Sequence, residues 1–244
     1  MYASITVAEH TVALMFALSK RLRIAIDKSK ILDFSKDGLL GIDLFGKVIG
    51  IIGTGRIGSE IARIAYGIGM KILAHDICPS QELIEKYKVK YVDVETLLKS
   101  SDIIVVMLPY YSKTHHFINK ENIKLIKDEA ILINTSRGPV VDTEALIWAL
   151  KNNKLQGGIA LDVFEGERIL LQLKDMILED GFNQEEYERA LKTLVLLSYP
   201  NTIFTPHVAY YTKEAIERVI EWVVTNIANF LINRSLPTQY KFYF

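Results

Sequence analysis

Short apolar runs alternate along this chain with stretches of helical periodicity. Val48–Ile52, Lys71–His75, Ile103–Leu108, Ala130–Asn134 and Gly158–Asp162 read as buried strands, with a shorter one near Tyr91. Between them come amphipathic patterns. Ile57, Ile61, Ile64 and Ile68 share one helical face, and residues 80–88, Asp93–Lys99, Asn122–Ile126 and Thr143–Lys151 read as further helices, with Asp93 as an N-cap. Such alternation predicts an α/β fold with a doubly wound parallel sheet.

The flanks read differently. Residues 6–28 predict one long helix, opened by a capping box of Thr6 and Glu9 and carrying Val7, Leu14, Met15 and Leu18. It is apolar nearly all round its middle, which predicts burial on more than one side. Gly38–Gly46 reads as a loop or arm exposing Leu39, Leu40, Leu44 and Phe45, a pattern that suggests a subunit contact. Residues 165–200 break the rhythm; they are charged and helical in character and read as an insertion or lid-like excursion. Lys213–Asn233 predicts a closing amphipathic helix, and residues 234–244 have no assignment. The domain reading is a linking helix over 1–30, a nucleotide-binding domain over 31–212, and a helix and tail over 213–244.

The chemistry centres on KVIGIIGTGRIG, residues 47–58. Gly53, Gly55 and Gly58 follow a strand and open a helix, which is the context of the Rossmann dinucleotide fingerprint. Gly53 permits the tight turn, Gly55 lets a pyrophosphate approach the backbone, and Gly58 lets helix and strand pack closely. The helix N-terminus offers free N–H groups and a positive dipole end. Asp76 lies eighteen residues beyond Gly58 at the end of the second strand, where a ribose-binding acid belongs. Its charge repels a 2′-phosphate, and Ile77 and Cys78 supply no cation, so the pattern favours NAD over NADP. Taken alone, the three glycines also fit a structural turn in another α/β protein.

Polar residues gather at the strand ends: Asp76, Pro109, the run Asn134–Arg137, Asp162, and Thr205–Pro206–His207. In a parallel sheet these ends share one edge, where ligands bind. Composition narrows the class further. The formal net charge is zero, which disfavours a nucleic-acid partner. No run is long enough for a membrane span and no signal peptide is evident, so a cytoplasmic protein is expected. The single cysteine, Cys78, leaves no internal disulfide and suits a reducing compartment. No metal site is expected, and His10, His75 and the adjacent His115 and His116 are read as structural.

The segments TVAEHTVAL, GIIGTGRIG, LPY with Thr114 behind it, INTSRGPVVDTEAL, GIALDVFEGE and TPHVAYYT together resemble the D-2-hydroxyacid dehydrogenase family, from about Ser4 to about Asn233. The two tyrosines of TPHVAYYT and the insertion after DVFEGE are closest to its D-lactate dehydrogenase branch. The resemblance implies a hydride transfer between NADH and a small 2-oxo acid such as pyruvate. It implies Arg137 as the residue that grips the substrate carboxylate, His207 as the acid/base, and Glu167 as the histidine's partner. It further implies Arg56 and Ile57 at the pyrophosphate, Leu108, Pro109 and Thr114 along the adenosine, and Thr135, Ser136, Arg137 and Asp162 near the nicotinamide. Tyr210 is placed toward the substrate side chain.

Residue chemistry agrees with those roles. Arginine presents a planar fork to a carboxylate. Histidine titrates near neutrality, and a neighbouring carboxylate favours its charged form. Plainer readings exist: Arg137 as a surface cation, His207 as a helix-cap histidine. The choice of Glu167 over Glu165 rests on family position. The resemblance also implies a homodimer, and a substrate domain of which most is expected to be missing here. A dinucleotide-binding module without turnover is the alternative function.

Overall fold

The computed structural model describes residues 3–167 and 184–233; part of the expected excursion (168–183) and the tail 234–244 lie outside the described residues. Seven parallel strands form a single sheet in the order β3-β2-β1-β4-β5-β6-β7. They are β1 Val48–Ile52, β2 Lys71–His75, β3 Lys90–Tyr91, β4 Ile103–Val106, β5 Ile131–Asn134, β6 Gly158–Leu161 and β7 Thr202–Phe204. The helices are α1 Ser4–Ser19, α2 Leu22–Lys30, α3 Arg56–Ile68, α4 Gln81–Tyr87, α5 Val94–Ser100, α6 Thr143–Lys151, α7 Gln184–Ser198 and α8 Lys213–Asn233. The strand order reverses direction at β1 and β4, the arrangement of a doubly wound Rossmann-type sheet.

Each strand feeds two cores because successive side chains point to opposite faces. Ile49, Ile51, Ile103, Val105, Ile131, Ile133 and Ala160 pack with α1, α3 and α4. Ile52, Ile104, Val106, Leu132, Ile159 and Leu161 pack with α5 and α6. Both faces are therefore apolar, which is why the strands read as unbroken hydrophobic runs.

The predicted long helix over 6–28 is two helices. Its start lies earlier, at Ser4 with Ala3 as N-cap, and no side chain caps it; Thr6 is an interior residue, so the capping box is not formed. The break falls at Lys20–Arg21, where Arg21 is left-handed (φ 53°). A continuing helix would need the Ser19 carbonyl for residue 23. Instead the arm crosses here and Ile42 donates its N–H to that carbonyl at 2.8 Å. Arg21 then reaches the Gln156 and Gly157 carbonyls, and Arg23 the Thr202 carbonyl. These are tertiary contacts, invisible to periodicity. α1 is buried broadly, as its all-round apolarity predicts.

In the arm, Leu40 and Phe45 are exposed, but Leu44 is buried in the core beside α1 and α3. The segment 122–126 is a 3-10 turn over Asn122–Leu125 rather than an α-helix. Asp93 caps α5 through the Thr96 N–H, as its position predicts. The closing helix α8 spans Lys213–Asn233 and leaves Ile220, Val224, Ile227 and Leu231 exposed.

At the opposite edge from the polar strand ends, Asp102 fastens three strands. Its carboxylate accepts the Val48 N–H at 2.9 Å and the Lys127 ammonium at 2.8 Å. Its own backbone bonds Val48 and Ile131. Burial alone pushes the Asp102 carboxyl up, but the Lys127 and Val48 donors outweigh it and hold the value below the ordinary aspartate range. A depressed folded-state value means the stabilisation is complete above the unfolded pKa, about 4, and is lost as pH falls through the folded one. Asp102→Asn is therefore expected to cost about 1–2 kcal/mol at neutral pH. Denaturant unfolding should show this gap to the parent closing as pH is lowered toward about 3; a gap independent of pH would count against the assignment.

Candidate functional site

The glycine loop has the geometry its spacing predicts. Gly53 is at φ 95°, and a side chain there would meet the Met107 carbonyl. A Cβ on Gly58 would fall on the Gly53 carbonyl, so α3 can lie this close to β1 only without one. Gly55 differs from both. It is exposed, and a Cβ would meet nothing within 4 Å. Its missing side chain opens space outside the protein, where a ligand would approach. Gly55 is also the N-cap of α3 and supplies no side-chain acceptor, so the first-turn N–H groups stay available to an anion. Arg56 is exposed at that first turn, and Ile57 is half-buried against the core.

Asp76 sits beyond β2, facing this loop. Its Oδ2 accepts from the Thr54 N–H at 2.6 Å and the Thr54 hydroxyl at 3.1 Å, and its Oδ1 accepts from the Cys78 N–H at 2.8 Å. Beyond β4, Leu108 is half-buried and Pro109 exposed. Thr114 is buried; its hydroxyl donates to the Pro109 carbonyl at 2.6 Å and accepts the Tyr111 N–H, closing the 109–114 loop on itself.

The loop after β5 is built around Asn134, which is fully buried. Its side-chain oxygen accepts the Ser136 N–H and hydroxyl, and its amide donates to the Arg137 carbonyl. Thr135 is held from the other side by the Thr11 hydroxyl of α1 at 2.7 Å. The buried Thr135 and Ser136 thereby present Arg137, whose side chain is exposed. Gly138 follows because a Cβ there would strike the Phe164 backbone.

Past β6, Asp162 is 1% exposed, and its carboxylate is spent on the loop after β7. It accepts the Thr205 hydroxyl at 2.5 Å and the N–H groups of Val208 and Ala209 at 3.0 Å, while its carbonyl accepts the His207 N–H. His10 of α1 joins through Thr205 at 3.1 Å. His207 itself is held at φ 54°, a left-handed conformation that is uncommon for a residue with a side chain and that these bonds support. Its Nδ1 lies 2.6 Å from Glu167 Oε1. An ionised carboxylate can only accept, so Nδ1 carries the proton and Nε2 is the free ring nitrogen. Tyr210 meets the imidazole edge-on at 6.0 Å between centroids.

Glu165, two residues before Glu167, has other partners. It accepts from His116 at 2.9 Å and from the Thr143 N–H at 2.9 Å. Burial pushes its carboxyl up, and these donors more than reverse the shift. Asp142 is near enough to complete a His116–Asp142–Glu165 cluster, but it caps α6 through the Glu144 N–H. Glu144 is pulled down to about 2 by Lys120 and Lys192. The two lysines thereby tie α6 to α7 and to the 119–121 turn through Glu144. His115 and His116 do not diverge as adjacent residues on a regular element would. Their rings stack at 3.8 Å, because His116 is left-handed (φ 49°) in a turn.

Arg137, Glu167 and His207 thus stand on the loops that follow three neighbouring strands, β5, β6 and β7. The glycine loop and Asp76 follow β1 and β2 along the same edge. The open space at Gly55, the uncapped start of α3 and the acid at the end of β2 fit a dinucleotide laid across that edge. Asn134 and Thr54 were not among the sequence-predicted site residues. A buried polar residue closing an apolar strand was the available signal for the first, and nothing marked the second.

Residues 12–209 match the family described as D-isomer specific 2-hydroxyacid dehydrogenase, NAD binding domain. The chain is 35% identical over 233 residues to the D-lactate dehydrogenase of Escherichia coli, covering 96% of this chain and 68% of that protein. It is likewise 35% identical over 240 residues to 2-hydroxyacid dehydrogenase homolog 1 of Schizosaccharomyces pombe, covering 97% and 69%. Among solved structures, the D-lactate dehydrogenase from Aquifex aeolicus complexed with NAD and lactic acid superposes with a TM-score of 0.86 at 42% identity, covering 95% of this chain and 68% of that one. The chain therefore spans about two thirds of the length of these relatives. It belongs to the D-isomer specific 2-hydroxyacid dehydrogenase family and carries that family's NAD-binding domain.

Proposed function

We propose that this chain serves the reduction of a small 2-oxo acid of the pyruvate type to its D-2-hydroxy acid with NADH. The observation that carries the reading is the 2.6 Å contact between His207 Nδ1 and Glu167 Oε1, made at the sheet edge that also holds Arg137 and the glycine loop. Held along the glycine loop and Asp76, NADH would supply the hydride for the carbonyl carbon. His207 gives the proton from Nε2 to the carbonyl oxygen, so one hydride and one proton reduce the C=O to CH–OH. Glu167 fixes the ring by accepting from Nδ1, so the second proton of an imidazolium sits on Nε2. Arg137 grips the substrate carboxylate with paired N–H donors and holds the carbonyl against both. Asp76 receives the ribose and repels a 2′-phosphate.

The exposed apolar residues Leu22 and Ile26 of α2 and Leu40 and Phe45 of the arm support a two-fold dimer built through these two segments. A single exposed Cys78 is compatible with the reducing cytoplasm.

His207→Ala is expected to cut pyruvate-dependent NADH oxidation by about 10²- to 10⁴-fold while NADH still binds. Equal turnover in parent and variant would sink the acid/base role, and NADH binding with no turnover of any 2-oxo acid by the parent would leave a binding module only. Arg137→Lys keeps the charge but loses the fork, so the KM for pyruvate should rise about tenfold or more; an unchanged KM places the carboxylate elsewhere. Sedimentation at micromolar concentration should give twice the chain mass, and a monomer would remove the dimer.

A further inference from the structure

Asp76 does not stand alone at the end of β2. Its Oδ2 accepts the Thr54 hydroxyl, and Thr54 Oγ1 lies 2.9 Å from the Tyr91 hydroxyl. The Tyr91 oxygen in turn accepts the Ser80 N–H at 3.0 Å. Only one arrangement of protons satisfies all these contacts. A threonine hydroxyl has a single proton, and here it goes to the carboxylate. The Tyr91 proton must then go to Thr54, and the Tyr91 lone pair takes the Ser80 N–H. The relay runs one way, from Ser80 through Tyr91 and Thr54 to Asp76.

Counting acceptor sites shows what this does to the acid. A carboxylate has about four lone-pair positions. The Thr54 N–H and hydroxyl fill both on Oδ2, and the Cys78 N–H fills one on Oδ1. A single position on Oδ1 is left for a ligand hydroxyl. The carboxylate is thus locked in rotation and offers one acceptor in one direction. Tyr91 reaches it from β3, the edge strand, where it pairs in register with Ala74 two residues before Asp76. It also ties down Ser80, the N-cap of α4.

We propose that Tyr91 is a positioning residue for cofactor selection: its hydroxyl, acting through Thr54, holds the Asp76 carboxylate where it accepts the ribose hydroxyl of NADH and repels the 2′-phosphate of NADPH. This rests on the reading of Asp76 given above. Without the tyrosine hydroxyl, the Thr54 hydroxyl is no longer oriented on Oδ2, and one of the three bonds that fix the Asp76 carboxylate loosens, which weakens the grip on NADH and relieves the repulsion of NADPH together.

The experiment is a fluorescence titration of the full 244-residue chain with NADH and with NADPH, for the parent, Tyr91→Phe, Thr54→Val, the double variant and Asp76→Asn. Tyr91→Phe should lower the NADPH-to-NADH Kd ratio about threefold or more. Because both single changes break one relay, the double variant should shift the ratio no further than the larger single change. A ratio equal to the parent's, with only a lower unfolding midpoint, would make Tyr91 a structural residue and overturn the inference. Additive shifts would overturn the relay. If Asp76→Asn collapses the ratio and Tyr91→Phe does not, only the role of Tyr91 falls. If Asp76→Asn leaves the ratio unchanged, the reading of Asp76 falls and takes this inference with it.

Discussion

The geometry of the loop that carries His207 depends on one buried carboxylate. Asp162 joins the end of β6 to the loop after β7 by accepting one hydroxyl and two N–H groups, and its carbonyl takes a fourth bond from His207. A histidine at φ 54° costs on the order of 1–2 kcal/mol relative to extended backbone. Four bonds from one residue are enough to hold that conformation. The result is an imidazole whose Nδ1 is fixed to Glu167 and whose Nε2 is left for a ligand. Through Thr205 the same knot reaches His10, so α1 is coupled to the loop that carries His207.

The sheet was legible in the sequence because parallel strands covered on both faces must be apolar on both faces. Val48–Ile52 and Ile103–Val106 leave no other reading once helical periodicity resumes on either side. The division between α1 and α2 was not legible. Nothing in LSKRLRIAI breaks a helix; the break exists because Ile42, twenty-three residues further on than Ser19, takes the Ser19 carbonyl. The burial of Leu44 is hidden for a similar reason. It stands in a loop by pattern, yet that loop leads directly into β1 and turns Leu44 into the core.

The site divides along the same line. Gly53, Gly55, Gly58 and Asp76 could be read by spacing, because each answers a constraint set by near neighbours in the chain. Glu167 and Glu165 could not be separated by chemistry. Both are acids in one short run, and they diverge only in space, one to His207 and the other to His116 and the Thr143 N–H. Asn134 and Thr54 lie inside the motif segments and Tyr91 outside them, but the partners that give each its role, Ser136 and Arg137 for Asn134 and Asp76 and Tyr91 for Thr54, show only in the folded chain.

Placed together, the polar residues of the sheet edge fall into two groups by how much of their hydrogen-bonding capacity the protein uses. Among the described residues no buried side-chain nitrogen or oxygen is left without a partner. Thr54, Thr114, Asn134, Thr135, Ser136 and Asp162 are buried and bonded within the fold. Arg137 keeps guanidinium donors beyond the one it gives the Ser136 carbonyl, His207 keeps Nε2, Gly55 keeps open space, and Asp76 keeps one acceptor. Burying an unpaired polar group costs about 1–3 kcal/mol, so the first group must be self-satisfied for the fold to hold. The second group escapes that demand because its members are exposed or half-buried, within reach of water. Rigid loops therefore come from the first set and ligand chemistry from the second, and a cofactor contact by Thr114, Thr135 or Asp162 would have to be made with whatever capacity their internal bonds leave free.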